Sequence, residues 1–150
     1  MSKPTSPTIR PMQTKDLDEV IELGLITPEL QTETENPQFF FKKTLLRWID
    51  TPYGVLLVAD AHDSIAGFII SAHNPTNHEG ELHVIAVRNE WRRKGLGSAL
   101  IEETLKRLAA IGCNHIKSLI SPDNEANQML LQKYGFSKGK AFYYFDRTLP

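Results

Sequence analysis

The sequence predicts a single α/β domain, a mixed central β-sheet with helices on both faces, in the element order βααβββαβαβ. Three observations predict it. Strand-like apolar runs and helical periods alternate along the chain. No linker, low-complexity segment or internal repeat divides the 150 residues, a length suited to one core. The composition, 41% hydrophobic and 23% charged, is ordinary for a soluble globular domain.

Residues 1–7 read as a tail, since Lys3, Pro4 and Pro7 interrupt any apolar run and leave no signal peptide. Thr8 to Arg10 read as a first strand that Pro11 ends. Thr14 is placed to cap a helix, with Asp16, Asp18 and Glu19 where a helix N-terminus favours negative charge. Leu17, Val20, Ile21 and Leu25 recur behind it at helical spacing. Residues 26–36 are polar and acidic without a period, hence a loop. Asn36 before Pro37 signals a second helix, with Phe41, Leu45 and Trp48 along one side and Pro52 past its end.

Strands follow at 54–60, 65–72 and 81–87, separated by a turn at Asp63–Ser64 and a polar loop over 73–80. A helix over 96–111 carries Ile101, Leu105, Leu108 and Ala109 on one face and stops at Gly112. His115–Ile120 reads as a strand, and Asp123 or Asn124 as the cap of a helix ending near Tyr134–Gly135. Phe142–Asp146, rich in aromatics, reads as the closing strand.

The formal net charge is −1, from 17 Lys+Arg against 18 Asp+Glu. So even a balance argues against a general nucleic-acid binder and leaves room for one local basic site. No apolar stretch approaches the ~20 residues of a membrane helix. The single cysteine, Cys113, makes no intrachain disulfide, so a reducing, cytoplasmic compartment is expected. His62, His73, His78 and His115 lack metal-ligand spacing, and no metal is expected. A homodimer is left open.

The informative stretch is Arg92-Arg93-Lys94-Gly95-Leu96-Gly97-Ser98, between a strand and an amphipathic helix. Three cations and two glycines stand where a helix begins. That helix end presents free N–H groups and a partial positive charge, and glycine lets a ligand approach the backbone, so the segment can cradle a diphosphate. A P-loop would need Gly, four residues, then Gly-Lys-Ser/Thr, which is absent here. A dinucleotide fingerprint needs a third glycine, where Leu100 stands instead. Taken alone, the stretch also reads as a solvated basic turn.

Residues 81–100 resemble the central signature of the GNAT superfamily of N-acetyltransferases. Its pattern, Arg/Gln-x-x-Gly-x-Gly/Ala after a strand ending in Val, is met by Arg92, Gly95, Gly97 and Val87. The helix from Asn124 to Gly135-Phe136 resembles the second signature. This resemblance implies the GNAT fold and an acetyl-CoA-dependent N-acetyltransferase. Acetyl would pass from acetyl-CoA to a primary amine, of a small molecule or a protein, directly within a ternary complex. It also implies that backbone amides of Arg93, Lys94, Gly95, Leu96, Gly97 and Ser98, with Arg92, hold the pyrophosphate. Ile85, Ala86 and Val87 would pair with the pantetheine arm where the strand splays at a bulge, and Asn124 and Asn127 would contact the same arm. On local grounds Asn124 is equally a helix cap.

Acetyl transfer needs a neutral amine, so a base must remove its proton. Glu81 and His83 lie two apart on one strand and so face one side. By the resemblance, Glu81 matches the glutamate base of the superfamily's histone acetyltransferases, and His83 a strand histidine of its arylalkylamine N-acetyltransferases. Locally the pair also reads as a solvated strand end. Many members carry a tyrosine four residues before the Gly-Phe pair, as acid for the leaving thiolate; here that position is Leu131, and Tyr134 lies a turn further on. Cys113 has no evident base partner, so a covalent cysteine intermediate is not expected. The resemblance also implies an acceptor site lined by the last strands and by the first two helices with their loop, near residues 25–40, where Glu29, Glu33 and Glu35 suit a cationic amine or are simply solvated. Two rival readings are a catalytically silent CoA-binding module of the same fold and a basic nucleic-acid loop at 92–94.

Overall fold

The computed structural model describes residues 6–30, 39–147 and 149–150. Five strands, β1 (Thr8–Pro11), β2 (Gly54–Asp60), β3 (Ile65–Asn74), β4 (Glu79–Val87) and β5 (His115–Ser118), form one sheet in chain order. The first three pairings are antiparallel and β4–β5 is parallel, so the sheet is mixed as expected. Helices α1 (Leu17–Ile26) and α2 (Lys42–Ile49) cover one face; α3 (Leu96–Ala110) and α4 (Glu125–Lys133) cover the other.

Alternation along the strands sorts the core into two layers. Leu56, Val58, Phe68 and Ile70 meet Leu17, Val20, Leu23 and Leu45 on the first face. Val55, Leu57, Ile69 and Leu82 meet Leu100, Ile101, Leu108 and Leu131 on the second. The unbroken apolar run of β2 follows from burial on both faces. Arg10 ties the first strand to both flanking elements, its Nε donating to Asp60 at 2.9 Å and its terminal nitrogens to both oxygens of Asp16. Burial would raise the Asp16 carboxyl, but hydrogen bonds from Arg10 and the Gln13 amide outweigh it and hold the group low.

Several expectations are corrected. Phe142–Asp146 forms no strand, and Phe142 to Phe145 stay exposed. Aromatic β-propensity records packing on a pleated surface, and no neighbouring strand supplies one here. Leu25 is exposed while Leu23 is buried, because α1 turns the 17-20-23-24 stripe to the sheet. A one-turn 3-10 helix at Thr14–Asp16 precedes α1, so Asp16 rather than Thr14 holds its cap position. α2 starts at Lys42, and Phe41 stands exposed at its cap; Phe39 and Phe40 pack instead. The expected start at Asn36–Pro37 lies outside the described residues, as do Glu33, Glu35, the side chain of Glu29 and residues 1–5 of the expected tail. β3 and β4 reach further than expected and take half of the 73–80 loop, with His73 buried on β3. Among the described residues no helix is long and apolar enough to cross a membrane.

Candidate active site

The site is built on an irregularity of β4. Ile70 pairs with Val84 and Ser71 with Leu82, so His83 has no partner on β3 and is the extra residue of a β-bulge. A regular strand would turn Leu82 and Val84 to one face. The bulge separates them: Leu82 packs toward α3 and Val84 toward α1. His83 and Val84 therefore both lie on the α1–α2 face, where alternation from Leu82 also places Glu81. The two candidate proton acceptors share a face as expected, but through the bulge rather than a plain period of two. Glu81 Oε1 lies 3.8 Å from His83 Nδ1.

Helix α2 and the segment before it wall in this pair. Trp48 stacks on the His83 ring with centroids 5.1 Å apart, and Phe40 meets it edge-on at 6.1 Å. Burial among these rings depresses the imidazole pKa below its ordinary value; Glu81 acts against that shift and the charge of Lys117 adds to it. The balance favours the neutral imidazole, the form able to accept a proton. Sequence reasoning missed Trp48 and Phe40 as site residues. The spacing of Trp48 reads as core, which it also is.

The same irregularity opens a cleft. β4 and β5 run together only over Glu79–Leu82 and His115–Ser118, a last rung that Ser118 Oγ reinforces by donating to Leu82 O at 2.9 Å. Beyond it the strands part, and β5 ends two residues sooner than the expected Ile120 because the ladder ends there. The gap, a volume of about 60 Å³, runs between His83, Val84 and Ile85 on one side and Ser118 to Ser121, Asn124, Asn127 and Leu131 on the other. Leu30 closes its α1–α2 side and Ile101 its α3 side. A larger cavity of about 290 Å³, lined by Met12, Ile49 and Arg107 among others, carries no carboxylate, imidazole or thiol on its wall.

Asn124 caps α4, its side chain accepting from the Asn127 amide at 3.2 Å, and both asparagines line the cleft. Cap and cleft wall are thus one residue. Ala86 is buried toward α1 and Val87 packs toward α3, so along this edge those two offer backbone rather than side chain to the cleft. Leu131 is buried on the cleft wall, whereas Tyr134 packs into the α3–α4 core with the Lys133 ammonium 5.8 Å from its ring centroid.

Past Val87 a one-turn 3-10 helix at Asn89–Trp91 leads to the basic segment. Arg92 Nε donates to Val87 O at 3.0 Å, pinning the segment to the end of β4. Lys94 Nζ lies 4.9 Å from the Trp91 ring centroid. Arg93 and Gly95 take the left-handed backbone region, at φ 61° and 82°, and Gly95 then caps α3. A side chain on Gly95 would meet no atom within 4 Å, so its backbone is open to an approaching group. Gly97 differs: a Cβ there would come within 3.1 Å of Leu130 Cδ2, so this glycine also lets α3 pack on α4. The first-turn amides of α3, at Leu96, Gly97 and Ser98, have no acceptor within the helix. The arrangement suits an anion at the start of α3, an extended chain along the free edge of β4, and a proton acceptor where that chain would end.

Cys113 lies elsewhere, its Sγ donating to His115 O at 3.4 Å. Among the described residues no group of three or more His, Cys, Asp or Glu side chains is gathered as metal ligands.

Residues 20–136 match the model of the acetyltransferase (GNAT) family. A mycothiol acetyltransferase from Saccharopolyspora erythraea is 32% identical over 100 residues, covering 67% of this chain and 32% of that protein. The chain therefore spans about a third of that relative's length. An acetyltransferase of Photorhabdus laumondii is 27% identical over 129 residues, covering 83% of this chain and 82% of the relative. The crystal structure of the PaiA N-acetyltransferase from Thermoplasma acidophilum, in complex with coenzyme A, superposes with a TM-score of 0.79 at 20% identity. That match covers 92% of this chain and 94% of the other, and it shows a shared fold.

Proposed function

The chain belongs to the acetyltransferase (GNAT) family, and on that premise we propose that it transfers acetyl from acetyl-CoA to a primary amine, directly and without a covalent enzyme intermediate. One observation carries the reading: at the bulge His83 stands on the wall of the cleft between β4 and β5, with the Glu81 carboxylate 3.8 Å from its ring. Acetyl-CoA would supply an activated acyl group with a good leaving thiolate. Arg93 to Ser98 would hold its pyrophosphate at the α3 N-terminus, where free amides and the helix dipole favour an anion. The backbone of Ile85, Ala86 and Val87, with Asn124 and Asn127 across the gap, would line the pantetheine arm.

The acceptor amine would come from the α1–α2 side, past Leu30 and Trp48. Glu81 would take its proton, with His83 relaying. As the amine nitrogen bonds to the acetyl carbon, the carbon–sulfur bond breaks and the thiolate leaves. A free thiol has a pKa of about 8.5, so water can protonate it. An amine panel with acetyl-CoA, read by thiol release, tests the reading. Sustained release with at least one amine is expected. Acetyl-CoA binding without release would leave a catalytically silent CoA-binding module, the reading that the apolar Leu131 on the cleft wall favours.

Leu131 also makes a prediction of its own. A phenol installed there would assist the departing sulfur most where the thiolate needs a proton. Leu131→Tyr is expected to raise kcat several-fold at about pH 6.5 and little at about pH 9. Tyr134→Phe is expected to leave kcat nearly unchanged. A large loss in Tyr134→Phe, with acetyl-CoA affinity and thermal stability intact, would identify Tyr134 as the acid.

A further inference from the structure

Glu81 stands directly opposite Lys117 in the parallel β4–β5 ladder, as Glu79 stands opposite His115. Partners in register share a face, so Glu79, Glu81, His83 and Lys117 lie together on the α1–α2 side. The Lys117 ammonium is 3.6 Å from Glu79 Oε2, two residues before Glu81. With a side chain 53% exposed, it contributes nothing to the core. Glu81, at 3.8 Å, draws the His83 imidazole toward its charged form. A charged imidazole cannot accept the amine's proton. From α2 and the segment before it, Trp48 and Phe40 press on the ring, so those described contacts bring burial but no countercharge. The cation on this face comes from β5, paired with Glu79 and in register with Glu81.

We propose that Lys117 is a positioning residue for the proton-accepting pair: its ammonium, on the same face and paired with Glu79, keeps His83 neutral and ready to take a proton. This rests on the reading of Glu81 and His83 as the groups that receive the amine's proton. The direction of the charge effect agrees, since Lys117 adds to the shift that burial starts and opposes that of Glu81. A lysine too far from the ring to act on it, directly or through Glu79, would leave the imidazole's titration untouched.

The test is an NMR titration of His83 in the ligand-free protein, its signal assigned by its loss in His83→Gln. Lys117→Gln is expected to raise the titration midpoint by roughly half a pH unit, the size of one charge acting across several ångströms of partly solvated space. Lys117→Arg is expected to restore the midpoint. In the same variants the acid limb of kcat/KM for the amine is expected to move upward with the midpoint, while KM for acetyl-CoA stays put. An unchanged midpoint in Lys117→Gln, or a shifted one that Lys117→Arg fails to restore, overturns the proposal. A shifted midpoint that Arg restores, in a protein that acetylates no amine, supports the charge effect and removes the transferase reading instead.

Discussion

Glu81→Gln is expected to lower kcat/KM for the acceptor amine by about 10²-fold or more, the usual share of a positioned base. The affinity for acetyl-CoA should hardly change, because Glu81 lies on the α1–α2 face and the proposed pyrophosphate cradle lies beyond the other end of β4. The glutamine keeps the shape of the side chain beside His83 and removes only its basicity, so an intact thermal midpoint should accompany the loss. His83→Ala should cost less if the imidazole relays rather than accepts. Steady-state kinetics of both variants, with calorimetry of acetyl-CoA binding, check the pair. Unchanged rates in both would mean that the amine arrives deprotonated or that another group serves.

Gly97→Asp is expected to weaken acetyl-CoA binding by about ten- to a hundred-fold, from a carboxylate set against the bound diphosphate. The fold should survive, since an acidic residue in the first turn of a helix is favourable for the helix itself. Two effects must be separated, because any side chain at this position also meets Leu130 Cδ2 at 3.1 Å. Gly97→Ala carries the steric contact without the charge, and the flexible end of Leu130 can give way. Calorimetry should therefore find Gly97→Ala close to the parent. Equal affinity in Gly97→Asp would put the cradle elsewhere.

Much of the chain is legible from its residues alone. All five strands of the sheet, three of the four helices and the cap at Asn124 fall close to where local pattern puts them, because apolar period and turn chemistry act over a few neighbouring residues. The basic Gly-x-Gly segment likewise marks a helix start, with Gly95 capping α3, and the proposed anion site follows from the helix end itself. Phe142–Asp146 shows the limit of such reasoning, for a strand needs a partner that no local sequence provides.

Glu81 and His83 can be singled out as residues, but the geometry that makes them a pair comes from assembly of the sheet. The bulge at His83 exists only in the register of β4 against β3, and it explains why Leu82 and Val84 face opposite cores. The cleft exists because the parallel ladder with β5 stops after Leu82. Trp48, 35 residues before His83 in the chain, meets it by stacking, and Lys117 comes into register with Glu81 across a ladder between strands that α3 separates in sequence. Composition and periodicity say which side chains are present and which way a local element turns them. Register, bulges and contacts between distant segments depend on how whole elements dock, and it is these that gather a carboxylate, an imidazole and an ammonium on one face.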